Sequence, residues 1–452
     1  MDWSYAAEQI LAASLSSVPG VGALLGALVY IFWPSTGENV WDEIKAQVEA
    51  LISQAMSQEV YQTVQDSLQG LNSNIASYLT AVSAGDPEFI SQTWVAVNSD
   101  FVQQCPSFQQ KGYEVLLLPL FAAFANLHLS LLRDGVQYGL SWGWNSATQE
   151  SILQTLKSSI VSYQGWASTT YGLGLTDRAA VTPVNAHLVE PFRSMNTYQR
   201  QMTLTVLDFS NLWTYFDPTK YVPPVSVYLD REIYSDPNGT ADNSGLVPPM
   251  NPPSKPINQI TVWGADWVNG VQVQYEPGGG PLGVTSTARL GEQNGGINYA
   301  PTGGVFQITS SNPVTNAVVW SGDIVNAMQF VWQDGTWTHK LGGGGGGGEY
   351  FNYSYPGEIV SSIWINGVSD FYQCADVVIF GFKYLQSSGI GHDALKAFYI
   401  GSPNKISLDD LKDLGGQNAA AASDLQLKVS SEDWDGQRRS YQNILAANRH
   451  SA

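Results

Sequence analysis

The chain has 452 residues, enough for two or three domains that each bury a real core. Its formal charge of −19, from 20 basic and 39 acidic residues, argues against nucleic acid as a partner and against simple electrostatic capture by anionic lipid. Any membrane contact then needs a receptor or a conformational change. Fifteen Trp and 22 Tyr suit carbohydrate-facing or membrane-interface surfaces as well as cores.

From residue 3 to about residue 217 the pattern is helical, with Pro and Gly breaks that cut out roughly seven helices. A first helix covers Trp3 to Leu15. The next, Gly20 to Trp33, is closed by Pro34. Its apolar stretch, Val21 to Trp33, lacks a preceding basic region, and Asp2 and Glu8 have the wrong sign for a signal peptide, so it reads as mature structure. Val40 to Ser53 places Val40, Ile44, Val48, Leu51 and Ile52 on one face. Glu59 to Val82 follows, and Pro87 to Gln104 fits a helix with proline in its first turn.

Tyr113 to Trp144 is the unusual helix. Within it, Val115 to Leu132 carries no formal charge for eighteen residues, bracketed by Glu114 and by Arg133 and Asp134. At about 1.5 Å per residue this run reaches roughly 27 Å, close to the hydrocarbon thickness of a bilayer. It holds Pro119, Asn126 and His128. We read it as a helix stored in a water-soluble fold and able to enter a membrane later; the alternative is the central helix of an ordinary bundle. His128 reads either as a hydrogen-bonded core side chain or as a buried neutral imidazole whose protonation loosens the bundle. Ser146 to Tyr171 comes next, capped by Asn145 and broken at Gly172 and Gly174, and His187 to Tyr215 ends the series before Asp217 and Pro218. Helices joined by such short loops make an antiparallel bundle, whose amphipathic members hide the apolar one.

Residues 218–255 form a Pro-rich linker that contains a first strand, Val225 to Tyr234. Beyond it the periodicity becomes two and a repeat appears. Ile257 to Tyr275 matches Thr315 to Trp332, with Asn258, Val262, Gly264 and Val268 opposite Asn316, Trp320, Gly322 and Val325. Val360 to Tyr384 is a looser third copy, with Ile363, Ile365 and Gly367 opposite Val318, Trp320 and Gly322. Phe306 and Phe351 each precede, by fourteen residues, Trp320 and Ile365. Three strand, turn, strand units imply three antiparallel sheets about a pseudo-threefold axis, a β-prism over residues 256–401, with a single sandwich as the alternative. Residues 402–452 form a tail to which the sequence assigns no role.

Chemical motifs are sparse, and the expectation is no enzyme, no cofactor and no metal. Gly139, Ser141 and Gly143 satisfy G-x-S-x-G, but a nucleophile elbow needs a strand before it, and here a helix end precedes it. The five histidines, His128, His187, His339, His392 and His450, show no paired spacing that suits zinc. Gly342 to Gly348 is followed by Glu349 and Tyr350 rather than by the Lys and Ser/Thr of a phosphate loop. Gly389 and Asp393 form a G-x-x-x-D element whose amides and carboxylate suit sugar hydroxyls; a simple turn explains it equally. The cysteines, Cys105 and Cys374, fall in different predicted domains, so a disulfide is not implied.

Four stretches resemble the insecticidal delta-endotoxins of the three-domain crystal-toxin (Cry) family: VPGVGALLGALVYIFWPS at Val18 to Ser35, WDEIKAQVEALISQ at Trp41 to Gln54, ANLHLSLLRDGVQYGLSWGW at Ala125 to Trp144, and Met202 to Pro237. The resemblance covers residues 1–237 and implies an α+β multidomain protein: a seven-helix bundle over residues 1–217, then the three-sheet prism, with no third β-sandwich domain expected. It implies a pore-forming toxin of target gut epithelium that is soluble when made, without a recognisable signal peptide, as an inclusion or released. Its partners would be target-cell membrane lipid, a cell-surface receptor or glycan, and copies of itself in the pore. The apolar helix, with Val115, Leu116, Leu117, Leu118, Leu120, Phe121, Phe124, Leu127, His128, Leu129, Leu131 and Leu132, would insert as a hairpin with Pro87 to Gln104. Glu88 and Asp100 would line a cation-selective pore. The second half is similar to jacalin-type lectins through GGEYFNYSYPGEIVSSIWI and GIGHDALKAFYI, which implies a sugar site at Gly389, His392 and Asp393; His392 departs from that pattern, and the alternative function is a non-lytic lectin.

Overall fold

The computed structural model describes residues 21–33, 40–52, 54–181, 189–220, 231–240, 252–292, 302–343, 348–355, 358–368 and 374–384. They divide into two compact units, one from Met1–Thr176 and Gln201–Tyr228, the other from Asp177–Arg200 and Leu229–Ser388. The expected helix at Trp3 to Leu15, the sugar-site residues Gly389, His392 and Asp393, and the tail lie outside the described residues.

The first unit is helical: α1 (Ala23–Phe32), α2 (Val40–Ile52), α3 (Gln58–Ala84), α4 (Pro87–Gln104), α5 (Glu114–Tyr138) and α6 (Ser146–Val181). Local chemistry explains the boundaries. Ser57 accepts the Val60 amide ahead of α3, and Asp86 accepts the Glu88 amide with Pro87 in the first turn of α4. Asn145 caps α6 through the Thr148 amide at 2.8 Å. On α3, Tyr61, Val64, Leu68, Leu71, Ile75 and Tyr78 recur at helical spacing and are buried, while the intervening residues, Ser67 excepted, are exposed or half-buried.

Six helices of ten residues or more are counted in the described part of residues 1–181, where the expected helix at Trp3 to Leu15 is not described, so the expectation of seven over residues 1–217 is not confirmed. Two helix expectations are corrected. α6 does not break at Gly172 and Gly174: it runs 36 residues to Val181. A glycine in a helix costs only about 1 kcal/mol, and the buried Tyr171 and Leu175 hold that turn. The last expected helix, His187 to Tyr215, is in pieces: α7 (Val189–Met202), a π turn at Thr203–Leu207, α8 (Asp208–Leu212) and a 3₁₀ turn at Trp213–Phe216. Thr205 donates its hydroxyl to the Gln201 carbonyl at 2.8 Å, occupying the acceptor that the next turn would use.

The second unit contains three antiparallel sheets. One runs β5 (Leu290–Gly291), β4 (Val268–Tyr275), β3 (Ile257–Gly264), β6 (Gly304–Gln307); another runs β8 (Val325–Trp332), β7 (Val314–Ser321), β9 (Glu349–Ser354). The third joins β1 (Ile233–Tyr234), β11 (Ala375–Tyr384) and β10 (Glu358–Val368), with β2 (Asn238–Gly239) also paired to β11. Each sheet is built on one hairpin of the repeat, and the three hairpins touch one another through buried residues such as Val273, Phe330 and Phe380. Phe330 and Phe380 meet edge to face at 6.3 Å. Within residues 231–240 the short strands β1 and β2 both pair with β11 of this unit. Arg231 and Glu358 form a buried ion pair at 2.7 Å, and Glu232 accepts the Ser361, Ser362 and Tyr234 hydroxyls.

Ladder register corrects the repeat alignment by one residue. Ile257 pairs with Tyr275 and Val314 with Trp332, and each ladder slips twice at matching points, between Ile257 and Gln259 or Val314 and Asn316, and again after Trp263 or Trp320. The true equivalents are therefore Trp263 with Trp320, Asp266 with Asp323 and Gln272 with Gln329, and Gly264 answers to Ser321. Phe306 pairs with Ile260 and answers to Tyr353, not to Phe351. The shared asparagine at Asn258 and Asn316 had pulled the alignment out of register. The correspondence extends to the loops: Gln272 and Gln329 donate to the Thr287 and Thr338 carbonyls, and Arg289 and Lys340 lie over the Trp263 and Trp320 rings. Gly291 and Gly342 hold φ of 93° and 86°, where a Cβ would strike the Asn269 or Asn326 carbonyl at 2.5 Å.

Candidate functional site

The site that the sequence singles out is α5. Leu116 through Leu132 are all buried, and Val115 is partly so. Pro119 sits inside the helix without interrupting it. Among the described residues, Glu114–Trp142 is the one stretch of helix long and apolar enough to cross a membrane. An aromatic layer surrounds its first half: Phe121 and Phe124 meet Tyr163, Phe101 and Phe108 at centroid distances of 4.7 to 5.4 Å. Each such side chain removed from water contributes about 1.5–3 kcal/mol.

Four polar side chains on this helix are buried, and each has a partner on another element or turn. Asn126 accepts the Trp213 indole N–H at 2.7 Å. His128 lies between α6 and α4, with Nδ1 2.6 Å from the Tyr163 hydroxyl and Nε2 3.1 Å from Asn98 Oδ1. A neutral imidazole protonated at Nε2 satisfies both, donating to Asn98 and accepting from Tyr163. Phe101 stacks flat on its face, at 4.9 Å and 6°. Ser130 bonds back to the Asn126 carbonyl at 2.6 Å. Asp134 Oδ2 accepts the Gly22 amide ahead of α1 and the Tyr78 hydroxyl from α3, both at 3.0 Å. Burial, and then the Asp134 charge, push the Tyr78 hydroxyl above the ordinary phenol range. Burial also raises Tyr163, with Cys105 adding to it.

The partner helix α4 fits against α5 through Trp94, whose indole N–H donates to the Leu131 carbonyl at 2.8 Å. Gly135 makes room for that ring: a Cβ there would meet it at 2.7 and 2.9 Å. Ile90, Trp94, Val97 and Phe101 form the buried face of α4, yet Phe89, Val95 and Val102 are apolar and exposed. Glu88 is exposed and accepts from Gln92, while the half-buried Asp100 accepts from Asn74 on α3 and from Gln104.

Ser141 is exposed in a 3₁₀ turn and donates to the Tyr138 carbonyl at 2.6 Å. Cys105 and Cys374 are both free, and no metal-ligating cluster occurs among the described residues. Gly342 and Gly343 pack on the Thr302 carbonyl and the Asp266 backbone; residues 344–347 lie outside the described set. Sequence reasoning missed the contacts of Asp134, Trp213 and Trp94. Asp134 had one visible signal, a carboxylate two residues beyond an uncharged run.

The fold and site define a helical domain, built round one sequestered apolar helix, joined to a three-sheet β domain. Residues 10–217 match the family model of the delta endotoxin, N-terminal domain. It is 33% identical over 241 residues to the pesticidal crystal protein Cry7Aa of Bacillus thuringiensis, an alignment covering 50% of this chain and 21% of that protein. The chain thus spans about a fifth of the length of the curated relatives it matches. The insecticidal delta-endotoxin Cry8Ea1 of Bacillus thuringiensis shares the fold at TM-score 0.68 and 22% identity, over 85% of this chain and 73% of its own. PirB does so at TM-score 0.69 and 13% identity, over 85% of this chain and 94% of its own.

Proposed function

We propose that this protein is a pore-forming toxin of the insecticidal type, in which α4 and α5 enter a target-cell membrane as a hairpin while the β domain holds a receptor or glycan. The observation that carries this reading is α5 itself, a bilayer-length apolar helix kept from water by its neighbours. The exposed Phe89, Val95 and Val102 support it, because they are apolar side chains flanking the buried face of α4 that the soluble fold leaves in water. Insertion returns to lipid the apolar burial that opening removes, so opening is limited by a barrier rather than by a net loss. Glu88 and Asp100 on α4 would face the lumen and favour cations. The receptor, the glycan and the assembly of several copies in the pore belong to the same proposal.

The test is dye release from receptor-bearing membrane vesicles, with a disulfide engineered between α5 and α6. Neither native cysteine lies on those helices. The oxidised variant should be silent and recover on reduction. Release that continues with the disulfide closed would sink hairpin insertion, and glycan binding without any release would favour a non-lytic lectin.

A further inference from the structure

The two matched repeats differ at one loop. In the second copy the chain leaves β8 and returns in a tight turn, with the Trp332 amide bonded to the Thr336 carbonyl and only Gln333–Gly335 between. In the first copy the same closure, from the Tyr275 amide to the Thr285 carbonyl, spans Glu276–Val284. Isolated bridges just beyond, Gln274 with Ser286 and Val331 with Trp337, show that the sheets resume in step. The sheet does not need the longer loop.

What the insertion presents is unusual. Leu282 has φ 57° and ψ 21°, the one non-glycine residue with positive φ among the described residues, and its exposure is 80%. A bulky side chain in that region is strained as well as unburied. Val284 beside it is also exposed. The loop that displays them is built rigidly. The amides of Gly279, Gly280, Gly283 and Val284 bond to the carbonyls of Glu276, Val284, Gly280 and Pro281, and the Ser254 and Lys255 amides both reach the Gly279 carbonyl. Gly279 and Gly280 pack so closely on Lys255 and the Tyr275 ring that a Cβ would overlap at 2.3 and 2.6 Å. Its counterpart in the second copy is polar: Asp334 takes the Thr336 amide and hydroxyl and the Asn312 side chain.

We propose that the Leu282 loop is a lipid-seeking anchor of the β domain, taking the interfacial acyl region of a membrane as its ligand. Two features favour lipid over a protein pocket. No charged side chain occurs between Glu276 and Arg289, and the loop's backbone amides are largely satisfied within the loop, as a hydrocarbon surface requires. One leucine gives weak and reversible attachment, which suits a first contact more than a permanent one. The inference rests on the reading that this protein acts at a membrane.

The experiment is flotation with neutral phosphatidylcholine vesicles, using the full chain and Leu282→Gly. Glycine suits the backbone at this position, so the variant should melt no lower than the native protein. Binding should nevertheless fall about tenfold or more, with Leu282→Phe retaining it. Equal binding by Leu282→Gly, or no binding by the native chain, overturns the proposal. So does a loss that appears only on receptor-bearing membranes, which would place a protein pocket on the loop. Dye release from receptor-bearing vesicles is scored separately: vesicle binding without release there counts against the hairpin and leaves the anchor standing.

Discussion

Gly135 and Gly172 offer one chemical change with opposite expected signs. Both are helical glycines, and replacing either with alanine stabilises the helix by about 1 kcal/mol through backbone entropy. At Gly172 nothing lies within 4 Å of the new methyl, so the whole gain survives. At Gly135 the methyl meets Trp94 Cζ2 at 2.7 Å, Cε2 at 2.9 Å and Ile152 Cγ2 at 3.3 Å. The indole cannot tilt freely, because it donates to the Leu131 carbonyl and meets the Trp144 ring edge to face at 4.9 Å. Overpacking costs about 1–3 kcal/mol, and losing the indole hydrogen bond costs about 1 kcal/mol more. Gly135→Ala should therefore lose about 1–3 kcal/mol net, lowering the first unit's Tm by about 2–10 °C, whereas Gly172→Ala should raise it by about 2–4 °C. Thermal unfolding followed by calorimetry at neutral pH distinguishes them. Two increases of similar size would refute the argument, since they would show that α4 and α5 have slack where Trp94 sits.

Tyr78→Phe deletes one donor to the buried Asp134 and should lower stability by about 1.5–3 kcal/mol in urea unfolding; an unchanged midpoint would mean that the Gly22 amide alone holds that carboxylate. Arg231→Ala leaves Glu358 buried without its nearest cation and should cost about 3–5 kcal/mol in the β unit, read from near-ultraviolet circular dichroism on denaturation. Burial raises Tyr78, Tyr163 and Tyr275 above the ordinary phenol range. Above about pH 10 the unfolded chain releases these protons while the folded chain keeps them, so each tyrosine lowers stability by about 1.4 kcal/mol per pH unit. A melting temperature flat from about pH 9 to 11 would contradict that assignment.

How much was legible follows from the range of each signal. The buried rod was readable at Val115 to Leu132, because eighteen residues without a formal charge leave a helix no charged face to turn toward water. Helix starts were readable too, from the Asn145 cap and from Pro87 in a first turn, since they depend on neighbours one to three residues away. The seam at Gly172 was not, because a glycine's local cost is smaller than the packing of Tyr171 and Leu175 beside it. The repeat was visible, but its register was not: one recurring asparagine outweighed the Val-Trp pair that the ladder aligns. Least legible were the partners of the α5 polar groups. Trp213 lies 87 residues from Asn126, and Gly22 lies 112 residues from Asp134, so no local pattern connects them.

Those partners separate into groups that leave with α5 and groups that stay. Under the proposed insertion, α4 travels with α5, so His128 keeps Asn98 and the stacked Phe101 but gives up Tyr163. Trp94 keeps the Leu131 carbonyl, since both ends move together. Asn126 loses Trp213, and Asp134 loses both the Gly22 amide and the Tyr78 hydroxyl. Taking two donors from a buried acceptor costs more than taking one. The Asp134 contacts, rather than the apolar run, then dominate the barrier that holds the soluble form closed. Apolar surface finds an equivalent environment in lipid, while a carboxylate does not. Asp134, two residues beyond the membrane-length run, is accordingly the one that most strongly opposes its release.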